Sequence, residues 1–177
     1  MELSNLKSRV NNYKAIVANT RAYREKWDTG LRDSIIETLT KISTETELDA
    51  TIDTKSDFEN LEAIVFSLGD VKSGMYQEVT STVKRHLIKH NGSLVYQQLF
   101  NGKVMVVINF PFIENYGQPQ PPKTLAIYRP DELKEPFFIR HVAELIANIT
   151  LWEDYDDDEP TPNPNQRIGF KVNFDQE

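Results

Sequence analysis

The stretch SLVYQQLFNGKVMVVINF (residues 93–110) decides the class of fold. Two runs of β-branched and aromatic residues flank Asn101-Gly102, the dipeptide that a two-residue type I′ turn prefers. Such a turn pairs Val95 with Ile108. The stretch therefore predicts a β-hairpin, around which a small and mostly antiparallel sheet is built.

Neither face of this hairpin is polar. In the register of a two-residue turn, one face carries Val95, Leu99, Val104, Val106, Ile108 and Phe110. The other face carries Leu94, Tyr96, Phe100, Met105 and Val107. Because a sheet with one face in water alternates apolar and polar residues, we expect the hairpin to be covered on both sides. The second cover is either the N-terminal helix or another subunit.

Residues 3–46 have helical spacing and contain no proline. Positions spaced alternately by three and four, as in a coiled-coil seam, are Leu3, Leu6, Val10, Tyr13, Val17, Thr20, Arg24, Trp27 and Leu31. Asp28-Thr29-Gly30 is the weak point, so the segment is either one bent helix or a helical hairpin. One helix of this length would extend ~60 Å, too long to lie on one small domain, so we expect its seam to bind a partner helix.

Shorter patterns predict the remaining elements of the core. Strands are expected at 50–53, 61–68 and 124–128, and a helix from Pro136 to Trp152 that begins after a helical turn at Pro130-Asp131. A second seam follows that helix through Phe138, Val142, Leu145, Ile149 and Trp152. Residues 74–89 fit a helix ended by Asn91-Gly92, with a strand at 75–83 as the alternative.

The C-terminal part is acidic and then apolar. Residues 153–166 form an acidic, proline-containing linker. Beyond it, apolar residues alternate with others as in an amphipathic strand, at Ile168, Phe170, Val172 and Phe174. We expect this strand to add to the edge of a sheet, in this chain or in a neighbour.

The sequence thus predicts an α+β fold in four segments. These are a coiled-coil-like helical segment at 1–47, an α+β core at 48–152, the linker at 153–166 and the C-terminal strand at 167–177.

Composition disfavours several classes of protein. The 177 residues carry a net charge of −7, which opposes general nucleic-acid binding. A local basic cluster runs against this trend, and reads as a solvated helix face: Lys84, Arg85, His86, Lys89 and His90. We expect neither a membrane helix nor a secretory signal. Since cysteine is absent, we expect a reducing cytoplasm and no disulfide or thiol chemistry.

Catalytic and metal-binding patterns are weak. His86 and His90 share one face of the predicted helix, and His141 or Glu144 would have to complete a metal site. The spacing of Asp154, Asp156 and Asp158 resembles the start of a calcium loop, but the glycine and the final glutamate of such a loop are missing. No nucleophile elbow or phosphate-binding loop is present. We therefore expect no catalytic residue, cofactor or metal, although an enzyme that uses these histidines with Glu144 stays open.

The expected function is that of a non-enzymatic, cytoplasmic structural or adaptor subunit. It would assemble with copies of itself or with other proteins through its helical seams and its C-terminal strand. The expected interaction residues are Leu3, Leu6, Val10, Tyr13, Val17, Trp27, Leu31, Ile168, Phe170, Val172 and Phe174. The alternative is a domain that binds a small ligand or peptide in an apolar pocket between the hairpin and the helix at 137–152.

Overall fold

The structure is a computed structural model that describes residues 3–155. The helical elements are α1 (Leu3–Lys26), a π-helical turn (Trp27–Leu31), α2 (Arg32–Thr46), a 3-10 turn (Pro130–Glu132) and α3 (Glu135–Glu153). The strands are β1 (Thr51–Lys55), β2 (Ala63–Ser67), β3 (Asp70–Thr80), β4 (Val83–His90), β5 (Ser93–Gln98), β6 (Val104–Asn109), β7 (Phe112–Ile113) and β8 (Lys123–Tyr128).

The strands form two antiparallel sheets. A five-stranded sheet has the order β1-β2-β5-β6-β8, and a three-stranded sheet has the order β3-β4-β7. The predicted hairpin supplies β5 and β6, which lie inside the larger sheet. The predicted α+β class is confirmed, with the hairpin as its organising unit.

The hairpin has a longer turn than predicted. Val95 pairs with Val107 rather than with Ile108. The Gly102 amide donates to the Leu99 carbonyl at 2.8 Å, and Gly102 adopts a φ of +76°. These features are those of a three-residue loop, in which a turn is followed by a left-handed glycine. The prediction of a two-residue turn is therefore wrong, because the turn has three residues.

This shift regroups the side chains, because adjacent residues of a strand point to opposite faces. The buried face of the hairpin consists of Leu94, Tyr96, Gln98, Val104, Val106 and Ile108. Both α2 and α3 pack on this face and form the core with it. They contribute Ile35, Leu39, Phe138, Val142, Leu145 and Ile149.

The seam of α3 is therefore an internal one. Phe138 and Leu145 are fully buried against the sheet. Trp152, the last seam residue, is partly exposed, and the Lys89 ammonium lies 5.3 Å from its ring centroid. Of the two predicted seams, this one holds the domain together and is not available to a partner.

Residues 74–89 form strands, and the predicted helix there is wrong. They belong to the long hairpin of β3 and β4, so the alternative prediction of a strand at 75–83 is the better one. The pattern was ambiguous because Met75, Val79, Val83 and Leu87 are spaced by four, which is also two periods of a strand. The β-branched residues of this segment favour the strand.

The N-terminal segment is helical from Leu3 to Thr46, as predicted, with a break where the sequence places Asp28-Thr29-Gly30. At Gly30 the backbone leaves the helical conformation (φ 178°, ψ −32°). α1 contacts the two short helical turns and does not pack along α2. The segment is therefore one bent helix rather than a helical hairpin.

Candidate interaction surface

The last two turns of α1 are anchored on the β5–β6 turn. A Cβ atom on Gly102 would lie 2.7 Å from the Tyr23 Cβ and 2.9 Å from the Thr20 carbonyl oxygen. Arg24 Nη2 donates to the Phe100 carbonyl at 2.7 Å. Thr20 and Arg24 are the least apolar positions of the predicted seam, and they are the ones that contact the backbone of the β5–β6 turn.

Trp27 belongs to the core. Its side chain is fully buried, and its indole N–H donates to Glu62 Oε2 at 2.9 Å. Arg32 Nη1 reaches the same carboxylate oxygen at 3.4 Å. Leu31 also packs against the core, where it is partly buried. Neither Trp27 nor Leu31 is available to a partner, although the spacing placed both in the interaction seam.

The first part of α1 has a different environment. Every residue from 3 to 19 is exposed, and we call this part the α1 arm. Its apolar stripe, here the α1 seam, consists of Leu3 (62% exposed), Leu6 (55%), Val10 (39%), Tyr13 (67%) and Val17 (52%). Five of the predicted interaction residues are therefore exposed together along one side of a helix.

The α1 arm has little intrinsic reason to be helical. It contains four asparagines and three β-branched residues, which are weaker helix formers than alanine or leucine. Helices in proteins depend mostly on the packing of an apolar face. In the described residues that face is uncovered, so a partner that covered it would stabilise the arm.

A second apolar surface lies on the larger sheet, opposite α2 and α3. Adjacent strands align Val65, Val95 and Val107 across this face. Met105 lies opposite Ile127, which is 54% exposed, whereas the other four residues are partly exposed. Among the described residues, α2 and α3 pack on the opposite face and the apolar residues of the α1 arm are exposed, so this arm is not the second cover expected for the hairpin.

The predicted C-terminal interaction residues lie outside the described part of the chain. These are Ile168, Phe170, Val172 and Phe174. Most of the candidate calcium loop, from Asp156 onwards, also lies outside it.

His86 and His90 do not form the predicted pair on a helix. Both lie on β4, where residues four apart are separated by ~13 Å, too far to share one metal ion. The His86 ring contacts the Tyr76 ring at a tilt of 44°, with ring centroids 4.3 Å apart. Among residues 3–155, no group of three or more His, Asp or Glu side chains is arranged to hold a metal ion.

His90 is held between two carboxylates. Its Nδ1 lies 2.6 Å from Asp70 Oδ1, and its Nε2 lies 3.4 Å from Glu114 Oε1. Phe112 stacks on the ring with centroids 4.3 Å apart. Because both ring nitrogens face carboxylates, neither is directed at a hydroxyl nucleophile, and the geometry is that of a hydrogen-bonded cluster.

His141 is bonded on both sides by tyrosines. Tyr96 Oη lies 3.1 Å from Nδ1, and Tyr128 Oη lies 3.0 Å from Nε2. Burial, and secondarily the charge of Arg140, lowers the pKa of His141 to about 4. Burial also raises the pKa of Tyr96. Glu144, its proposed catalytic partner, is half exposed beside Lys123 instead, so these two residues do not form a site.

The expected pocket between the hairpin and α3 is filled by side chains. Tyr96 and Phe138 are fully buried there, with ring centroids 5.7 Å apart. A cavity of about 380 Å³ lies elsewhere, where the two sheets meet beside His90. Polar groups that line it are already paired with each other, His90 with Asp70 and the Asn109 amide with Ser93 Oγ at 3.0 Å.

Comparisons with protein-family models, with curated proteins and with solved structures find no match to the chain. Among the described residues, no helix combines the length and the apolar character needed to cross a bilayer. The α1 seam is therefore the candidate site that rests on the most direct structural observation.

Proposed function

We propose that this protein is a non-enzymatic structural or adaptor subunit of the cytoplasm, and that it docks on another protein chain through the α1 seam. The observation that carries the proposal is the contrast within α1. Its last turns are fixed to the body by Arg24 and the β5–β6 turn, whereas the five seam residues before them are exposed. Apolar patches of this kind mark interaction sites more often than plain surface.

The anchoring supports a docking role for the arm. Lys26 forms an ion pair with Asp131 at 2.5 Å, and Trp27 is buried directly after it. A helix held at one end presents its seam in a fixed direction, which reduces the entropy lost when a partner binds. Seam residues also recur with the 3-4 spacing that lets a second helix interdigitate.

The test compares two variants of the tagged full chain that gain the same charge on opposite sides of the arm. Leu6→Asp with Val10→Asp disrupts the seam, and Ser8→Asp with Asn12→Asp is the matched control. Proteins that copurify with the wild-type chain are identified and purified. Each is then titrated against the wild type, the seam variant and the control variant, and the solution mass of all three is measured by light scattering. We expect the seam variant alone to lose a directly binding partner or a self-assembled mass.

Equal partners, affinities and masses for the seam variant and its control would overturn the proposal. Both pairs of substitutions fall on exposed helix positions, so circular dichroism should give the same unfolding midpoint for the two variants. That measurement separates lost binding from lost folding.

A further inference from the structure

The α1 seam is bordered by positive charge on both sides. When the seam residues are placed at the a and d positions of a heptad, Lys7 and Lys14 fall at e and Arg9 falls at g. All three side chains are exposed, and none forms an ion pair with another described residue. From Leu3 to Lys26 there are six basic residues and one acidic residue, a net charge of +5.

This charge pattern disfavours pairing of α1 with a second α1. In a parallel pair Arg9 would face Lys14 of the other copy, and in an antiparallel pair Lys7 would face Lys14. Like charges at these positions cost stability and select against the homotypic pair. Glu2 is the one acidic residue before Glu25, and it lies outside the described residues.

The acidic C-terminal segment of the chain, residues 153–177, is opposite in charge to α1, but its apolar residues do not have the spacing of the α1 seam. Its apolar residues from Ile168 to Phe174 recur every second position, whereas the α1 seam recurs every three or four. The same part of the sequence contains Pro160, Pro162 and Pro164, and proline is unfavourable inside a helix. A helix with heptad spacing is the better complement.

An anionic lipid surface is also a poorer complement. Helices that lie on such membranes carry lysine and arginine across the polar face. The face of α1 opposite the seam instead carries Ser8, Asn12 and Asn19. The rest of the chain after Lys26, with 14 basic and 25 acidic residues, would be repelled by anionic lipid.

We propose that the partner of α1 is an acidic amphipathic helix of another protein, which pairs with the α1 seam as a heterotypic coiled coil. The inference rests on the proposed docking function and adds the chemistry of the partner. Apolar residues of the partner fill the stripe from Leu3 to Val17, and carboxylates on its flanks face Lys7, Lys14 and Arg9. Complementary flanking charges of this kind set partner choice in coiled coils.

Two synthetic peptides test this selection. Each has three heptads with leucine at a and d, and one has glutamate at e and g where the other has lysine. Both are titrated onto the wild-type full chain and onto Lys7→Glu with Lys14→Glu, at low and high salt. We expect the acidic peptide to bind the wild type about tenfold more tightly than the basic one. The order should reverse in the variant, and the difference should shrink in high salt.

The outcomes separate this inference from the proposed function. If both peptides bind equally and only the Leu6→Asp, Val10→Asp variant loses them, the docking role stands and the acidic partner is wrong. The acidic partner is also wrong if the wild type dimerises through α1, if a peptide of residues 153–177 binds more tightly than the acidic heptads, or if anionic vesicles alone bind the arm. If no peptide binds and the seam variant behaves like its control, the docking function itself fails.

Discussion

At the scale of single residues, His141 couples the stability of the core to pH. Its pKa is lowered from 6.5 to about 4 by burial between Tyr96 and Tyr128. Between these values the unfolded chain binds a proton that the folded chain does not. We therefore expect the free energy of unfolding to fall by about 3 kcal/mol as the pH drops from 6.5 to 4.

Urea denaturation at several pH values checks this prediction against a His141→Gln variant. Carboxylates also titrate in this range, but they do so in both proteins, so the difference between the two curves isolates the histidine. The variant is less stable at pH 7 because both tyrosine hydroxyls lose their ring-nitrogen partner. A difference that stayed constant from pH 7 to pH 4 would show that His141 is not the titrating group.

Gly102 is required both by its own conformation and by its neighbours. At φ +76° an alanine costs about 1 kcal/mol, and its Cβ would also meet the Tyr23 Cβ at 2.7 Å. Gly69 is a matched control, because it has φ +73° and nothing within 4 Å of a built Cβ. We expect Gly102→Ala to lower the free energy of unfolding by about 1–3 kcal/mol more than Gly69→Ala, as measured by urea denaturation. Equal losses would mean that α1 does not rest on this turn.

At the scale of elements, α1 and the turn after it divide into an exposed part and a part that belongs to the core. Tyr13 is 67% exposed and Trp27 is fully buried, although both are aromatic residues of one spacing pattern. We expect Trp27→Ala to cost about 3–5 kcal/mol of unfolding free energy and Tyr13→Ala less than about 0.5 kcal/mol. Chemical denaturation of both variants measures the contrast, and similar losses would place the arm in the core.

Outside residues 74–89, where a helix was predicted in place of two strands, the sequence predicted the order of elements better than the register of the hairpin. Strands with β-branched runs and the helix after Pro136 were placed within a few residues. The hairpin turn was one residue too short, because Asn101-Gly102 suits both the two-residue turn and the end of a three-residue one. The close approach of Tyr23 and Thr20 to Gly102 involves residues distant in sequence, and local patterns do not contain it.

The same limit applies to the candidate interaction surface. Spacing placed Leu6 and Trp27 in one continuous seam, since an isolated helix has one apolar side. Which part of that side the body covers depends on the sheet, on Glu62 and on the β5–β6 turn. The low apolar character of Thr20 and Arg24 was the available signal that the seam is interrupted there.

At the scale of the whole molecule, charge and exposure both change towards the end of α1. The helix from Leu3 to Lys26 carries +5, whereas the residues after it carry −11. The basic part contains the exposed seam, and the acidic part contains the core. The exposed arm thus belongs to a basic helix, whereas the core side chains belong to the acidic remainder of the chain.

The exposure of the arm predicts where the chain can be shortened without loss of the core. Trp27, Ile35 and Leu39 lie in the common core, so the helical segment of 1–47 is not separable from the segment after it. We expect deletion of residues 1–19 to leave the urea midpoint almost unchanged while it lowers the helical signal in circular dichroism. Deletion of residues 1–47 removes three fully buried side chains and should abolish cooperative unfolding, because each large core truncation alone costs about 2–5 kcal/mol. If the shorter deletion also unfolded the chain, the arm would be part of the domain rather than its docking device.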